Sequence, residues 1–136
     1  MNMINVACGI IRYNNKLLMS QRSKHKYEYP LLWEFTGGKF EKNEQLQQCL
    51  IREIKEELNI DVIFDNIVYH KRDNKYCLFY CACHTDDISN IKLREYEVND
   101  YKLVSTIAEL KTMDLIPGDM EIVQDCLYDI FEENIV

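Results

Sequence analysis

Residues 37–60 read GGKFEKNEQLQQCLIREIKEELNI: two glycines and a charged turn, then a run of helical period ending in a dense acidic cluster. Glu53, Glu56 and Glu57 stand at i, i+3 and i+4. At about 100° per residue they share a sector of roughly 100° on one helix face. Ile51, Ile54 and Leu58 fall on another face and suit docking on a core. Like charges at this spacing cost a bare helix about 0.2–0.5 kcal/mol per pair. A sequence that crowds them has either solvent to spread into or a cation to hold. With no Lys or Arg at the same angle, the trio matches what a hard divalent cation requires. Mg²⁺ takes oxygen ligands, keeps several waters and leaves places for substrate phosphates. The Gly37-Gly38 pair reads as a turn whose backbone can come close and lend a carbonyl ligand. Arg52, beside Glu53, suits a bidentate hold on a carboxylate; its plainer reading is a helix-surface ion pair. These residues suit metal-assisted hydrolysis of a phosphoanhydride.

Composition sets the wider bounds. The 136 residues fit one domain, 1–136, with a core of ordinary size. The chain is 47% apolar and therefore globular rather than disordered. A formal charge of −7 argues against a nucleic-acid backbone or an anionic membrane as the main partner. Metal ions between two sets of negative charge would still let it take a polyphosphate. No apolar run is long enough to span a bilayer and the N-terminus lacks a signal-peptide pattern, so a cytoplasmic protein is expected. The six cysteines form no CxxC pair and read as buried free thiols. Cys77, Cys81 and Cys83 share one parity and should point to one face of a strand.

Outward from the acidic run, residues 4–12 and 16–21 read as strands joined by an Asn14-Asn15 turn. A polar loop over 22–31 precedes a short strand at 32–35 (LWEF), which delivers the chain to the glycine pair. The helix is expected from about 44 to 58, closed by Asn59 in the left-handed conformation. Residues 61–71 and 75–84 read as strands around an Asp73-Asn74 turn. YKLV at 101–104 is a further strand, and Ser105 or Thr106 caps a short helical turn through Leu110. A last helix from Pro117-Gly118-Asp119 carries Ile122, Val123, Cys126, Leu127, Ile130 and Phe131 at helical spacing. Strands interrupted by helices give an α/β sandwich with helices packed on a mixed sheet.

Gly38, five residues, Glu44, seven residues, then Arg52-Glu53-Ile54-Lys55-Glu56-Glu57-Leu58-Asn59-Ile60 resembles the Nudix box. Every specified position matches save the last glycine, where Asn59 stands, a change at the helix end rather than at a ligand. VACGIIR, LLMSQR and WEFTGGKFE resemble the first third of the MutT-like branch, with Thr36 replacing the usual proline of the turn. LREYEVNDYKLV resembles that branch's loop and strand, with Leu103 for the usual Trp, and IPGDMEIV its final helix start.

That resemblance implies a Nudix-type α/β/α sandwich and a Mg²⁺-dependent nucleoside triphosphate pyrophosphohydrolase, Mn²⁺ being able to replace Mg²⁺. It implies Glu53, Glu56 and Glu57 as metal ligands, completed by a backbone oxygen of Gly37 or Gly38 and by loop residue Glu97, or Glu95 if the loop slips. Either Glu53 or Glu97 would be the base toward water, with Glu44 and Arg52 supporting the helix. Arg22 and Lys39 would contact phosphates, Phe35 would line the pocket, and Asp119, more weakly Asn74, would meet the base. The plainer readings are solvated cations for Arg22 and Lys39, strand core for Phe35 and an N-cap for Asp119. A carboxylate accepts from an exocyclic amine and, when protonated, can donate, which fits 8-oxo-dGTP as well as (d)CTP or 5-methyl-dCTP. The rival readings are a hydrolase of dinucleotide polyphosphates or sugar nucleotides and a non-catalytic nucleotide-sensing module. The expected partner is the nucleotide alone, on a monomer or homodimer.

Overall fold

A computed structural model describes residues 3–127. Strands β1 (Ile4–Tyr13) and β2 (Lys16–Arg22) form the expected hairpin. Asn14 and Asn15 turn it at φ 48° and 60°, the left-handed pair that matches strand twist. Then follow β3 (Trp33–Glu34), β4 (Thr36–Lys39), α1 (Leu46–Leu58), β5 (Ile63–Arg72), β6 (Tyr76–His84) and β7 (Val98–Val104). Two short helices, α2 (Ile107–Lys111) and α3 (Pro117–Ile122), and a π-helical turn at Val123–Leu127 complete the described chain.

All seven strands join one sheet of order β3-β2-β1-β6-β5, with β4 also on β1 and β7 on β2. The β1–β6 pairing is parallel and the others are antiparallel, so the sheet is mixed. Strand β1 changes partner along its length: Ile11, Arg12 and Tyr13 face β2, whereas Val6 to Gly9 face β4. Helices cover both faces, as expected of the sandwich. Alternate residues of β1 separate to the two sides. Ala7 and Ile11 meet Leu50, Ile54 and Leu58 of α1, while Cys8 and Ile10 meet Ile107, Leu110 and Ile122 of α2 and α3. Cys8, Cys49, Cys77, Cys81 and Cys83 are free and buried, and Cys81 and Cys83 do share the α1 face. The side chains of Cys126 and Leu127, and the whole of Ile130 and Phe131, lie outside the described residues.

Two local expectations are corrected. The glycine pair is not a turn: Gly37 and Gly38 lie inside β4, opposite Cys8 and Ala7, and neither has a positive φ. Glycine is needed there for space, because a Cβ on Gly37 would stand 1.8 Å from the Ala7 carbonyl oxygen. Helix α1 begins two residues later than read, with Gln45 as N-cap, its amide donating to Gln48 Oε1 at 2.9 Å. Glu44 stays in the preceding turn, where the left-handed Asn43 reverses the chain and the Glu41 amide donates to Glu44 Oε1 at 2.9 Å. Asn59 ends the helix at φ 56°, ψ 40°, as read. Thr106 rather than Ser105 caps α2, accepting from the Glu109 amide. Among the described residues no helix is long and apolar enough to cross a membrane.

Candidate active site

A cavity of about 520 Å³ lies beside the place where β1 changes partner. Arg22, Phe35, Gly37, Gly38, Lys39, Glu53, Glu57, Glu97 and Asp119 all line it. Residues separated by up to 97 positions in sequence thus meet on one surface, delivered by β2, β4, α1, the segment before β7 and the start of α3.

Helix α1 is held by Arg52. Its Nε and Nη2 donate to the two oxygens of Glu44 at 2.6 and 2.9 Å, a bidentate grip across the turn before α1. Nη1 donates to Glu53 at 2.9 Å and to Glu56 at 3.0 Å, and Nη2 also reaches the Lys39 carbonyl at 3.1 Å. The guanidinium, aided by the Glu41 amide, pulls the Glu44 carboxyl down to about 2. One cation therefore ties α1, the preceding turn and β4 together. The expectation that no cation shares the carboxylates' angle is overturned: a flexible arginine reaches around from a neighbouring helix position. Replacing it should be felt twice. We expect Arg52→Lys, which cannot grip two oxygens at once, to lower stability by about 1–2 kcal/mol in thermal melts. The same variant should raise the divalent-ion concentration for half-maximal activity roughly 10- to 100-fold.

The three box carboxylates do not stay together. Glu53 and Glu57 turn into the cavity, but Glu56 is drawn off to Arg52 and, at 4.0 Å, to Arg94. Glu53 packs over Gly38, where an added Cβ would come within 2.4 Å of its carboxylate. The Gly38 carbonyl accepts a long 3.5 Å contact from the Cys49 thiol. Glu57 Oε2 is buried with no hydrogen-bond partner among the described residues. Burial raises the carboxyl pKa of both, that of Glu57 strongly, with help from neighbouring Glu34. Among the described residues no three His, Cys, Asp or Glu groups already converge as a finished cage. Glu97 lines the cavity but is ion-paired to Lys26. Glu95 lies on a different surface, with Lys55, Glu56 and Arg94.

The far wall is apolar with one polar exception. Asp119 is almost wholly buried, accepting from the Phe35 amide at 2.8 Å and from the Tyr80 hydroxyl at 3.2 Å. Burial lifts its carboxyl to about 7 against those two hydrogen bonds, so near neutrality both protonation states are populated. The N-cap reading fails because Ile116 holds that position and Asp119 is the third helical residue, its side chain turned away to β6. Asn74 is not brought to the cavity. It sits exposed in the β5–β6 turn, and Tyr76, Leu78 and Tyr80 of the next strand line the wall instead. Further lining residues escaped the sequence reading, among them Lys26, Glu28, Tyr80 and Glu34. Lys26 and Glu28 lie in a loop without a motif, and Tyr80 has no signal beyond its parity. Glu34 alone had one, as the charge within an apolar LWEF run beside the glycine pair. It is ion-paired to Arg22 at 3.0 Å, and burial raises its pKa.

A mixed sheet between helices, with a cavity lined by carboxylates, basic side chains and one buried aspartate, defines an α/β protein with a charged pocket. Its family follows from comparison: the model of the NUDIX domain matches residues 3–126, and the chain belongs to that family. The CTP pyrophosphohydrolase of Escherichia coli (strain K12) is 39% identical over 74 residues, 54% of each chain. The 8-oxo-dGTP diphosphatase of Buchnera aphidicola subsp. Schizaphis graminum is 40% identical over 63 residues, 46% of this chain and 48% of that one. The chain thus spans about half the length of the curated relatives it matches. The solution structure of the E. coli ORF135 protein superposes with a TM-score of 0.71 at 29% identity, over 91% of this chain and 88% of that one. The resemblance drawn from the box and its MutT-like flanks is thereby borne out.

Proposed function

We propose that this chain is a Nudix hydrolase that splits nucleoside triphosphates, (d)NTP + H₂O giving (d)NMP and pyrophosphate, in a Mg²⁺-dependent reaction. The observation that carries the reading is one cavity that gathers Glu53, Glu57, Glu97 and the Gly37-Gly38 pair together with the buried Asp119. The carboxylate cluster fits a hard divalent ion. Its donors are all oxygens, and the buried Glu57 Oε2 lacks any other partner among the described residues. Bound there, Mg²⁺, or Mn²⁺ in its place, offsets phosphate charge and makes water a better nucleophile.

The chain's own residues supply the rest. Glu53 or Glu97 takes the proton of the attacking water; burial raises the Glu53 carboxyl, which suits a proton acceptor. Arg22 and Lys39 face the triphosphate, Arg22 fixed by Glu34 and by the Glu28 carbonyl at 3.0 Å. Arg52 keeps Glu53 aimed at the cavity. Phe35 and Tyr80, edge to face at 6.4 Å between centroids, form the apolar wall beside the base, and Asp119 meets its polar edge. A carboxyl near its midpoint at neutral pH can accept from an exocyclic amine or donate to a carbonyl. That suits a modified purine such as 8-oxo-dGTP and also (d)CTP or 5-methyl-dCTP, in keeping with the names of the two relatives.

The deciding experiment is a hydrolysis panel with Mg²⁺ over ordinary, oxidised and methylated (d)NTPs, with dinucleotide polyphosphates and sugar nucleotides alongside. One modified or cytosine triphosphate should lead, with pyrophosphate as product. Preference for a dinucleotide or sugar nucleotide would overturn the substrate class. In the same panel Asp119→Ala should compress the ranking among bases by about 10-fold or more, because a site built around a buried polar group loses its discrimination with that group. Equal loss on every triphosphate would refute Asp119 as the reader of the base.

A further inference from the structure

The β2–β3 loop carries a lysine that the family pattern does not call for. Lys26 reaches across the cavity mouth and pairs with Glu97, both side chains being largely shielded at 27% and 36% exposure. The loop is built to bring it there. The Ser23 amide donates to the carbonyl of Glu97 itself at 3.1 Å, and the Lys26 amide donates back to the Ser23 carbonyl at 3.1 Å. Arg22 and Leu31 pinch the loop's two ends together. The ammonium sits among carboxylates: besides Glu97, its charge bears on Glu57 and Glu34, lowering both against burial.

The backbone around this contact is strained. Tyr29 and Leu31 on the loop and Tyr96 next to Glu97 have φ of 50°, 63° and 67°, in a region bulky side chains rarely enter. Two of the three lie within five residues of Lys26 and the third adjoins its partner. Strain gathered on both sides of one ion pair is what a contact that opens and closes would show.

We propose that Lys26 is a tethered cation of this site: it holds Glu97 while divalent metal is absent, yields Glu97 to the metal, and then turns its ammonium to the substrate's triphosphate. The inference rests on the metal-site reading above and adds to it a positioning residue with two alternate partners. Lys26 then competes with metal and cooperates with substrate, so its removal moves the two affinities in opposite directions. A residue that only shapes the loop would weaken both.

The test uses the full chain stripped with a chelator, Mn²⁺ as probe, and the paramagnetic signal of free Mn²⁺ to count what is bound. Lys26→Met should bind Mn²⁺ on the order of threefold more tightly without nucleotide, the scale of one partly shielded ion pair. With Mg²⁺ saturating, it should bind a non-hydrolysable triphosphate analogue several-fold more weakly. Lys26→Arg, which keeps the charge, should stay near wild type in both. Lys24→Met, which removes the same charge from a neighbour outside the cavity, should leave Mn²⁺ affinity unchanged. Unchanged or weaker Mn²⁺ binding by Lys26→Met overturns the proposal, as does equal tightening by Lys24→Met. A wild type that binds no Mn²⁺ overturns the metal site itself, and this proposal with it.

Discussion

Glu53→Gln is expected to lower Mg²⁺-dependent pyrophosphate release by about 10²–10⁴-fold while leaving the fold intact. The reasoning is electrostatic and local. Gln keeps the length and shape that let Glu53 lie over Gly38, and its amide oxygen can still accept from Arg52 Nη1. Arg52 also keeps its two-pronged hold on Glu44, so the helix remains tied to its preceding turn. What disappears is the negative charge facing the cavity, and with it a hard oxygen ligand and a proton acceptor. Stability should change little, because the weakened Arg52 contact is offset by relief of repulsion from Glu56 and Glu57. Turnover by the variant at the wild-type rate would sink the metal-site assignment, and a melting temperature lowered by more than a few degrees would make any activity loss uninterpretable. The Glu56→Gln variant makes the informative contrast. Its carboxylate is turned to Arg52 and Arg94 rather than into the cavity, so a loss as large as that of Glu53→Gln would mean it swings inward to serve as a ligand.

Much of this site was legible because its chemistry repeats the sequence's local period. Glu44, Arg52, Glu53 and Glu57 sit on or beside one helix, and 3.6 residues per turn is enough to place them. The strand pair at the N-terminus was equally plain, since Asn14-Asn15 suits a left-handed turn. Most of the failures come from contacts between segments distant in the chain. Gly37-Gly38 has the letters of a turn, but the need for glycine comes from the Ala7 carbonyl and the Glu53 carboxylate, which no local pattern reveals. The plainer reading of Asp119, a cap, rests on local pattern, whereas its actual partners, Phe35 and Tyr80, lie 84 and 39 residues away. Asn74, the weaker candidate for the base, rests on the resemblance alone, and the neighbouring strand that does line the cavity starts two residues later. The diversion of Glu56 could not be foreseen from angle alone, since a long arginine side chain spans several angular positions.

The glycine pair yields the last and sharpest contrast, because two identical substitutions one residue apart should fail in different ways. At Gly37 a Cβ would meet backbone: the Ala7 oxygen at 1.8 Å, its carbonyl carbon at 2.8 Å and the Cys8 Cα at 2.9 Å. None of these can rotate aside. Relief requires β4 to part from β1, and that pairing holds the Gly38 backbone against the cavity and the start of α1 against the sheet. Gly37→Ala should therefore destabilise by roughly 3 kcal/mol or more, among the larger single-residue effects, or fail to give soluble protein. At Gly38 the three atoms nearest the Cβ all belong to the Glu53 carboxyl group, at 2.4–2.7 Å. That group can swing out to solvent at small cost to the fold, although not to the chemistry. We expect Gly38→Ala to keep its melting temperature within about 5 °C of wild type, on the scale of a 1 kcal/mol change, and to lose nearly as much activity as Glu53→Gln. Thermal denaturation and pyrophosphate release on the two variants check this directly. If both melt alike, or if Gly38→Ala turns over normally, the close seat of Glu53 on β4 is not what aims it at the substrate.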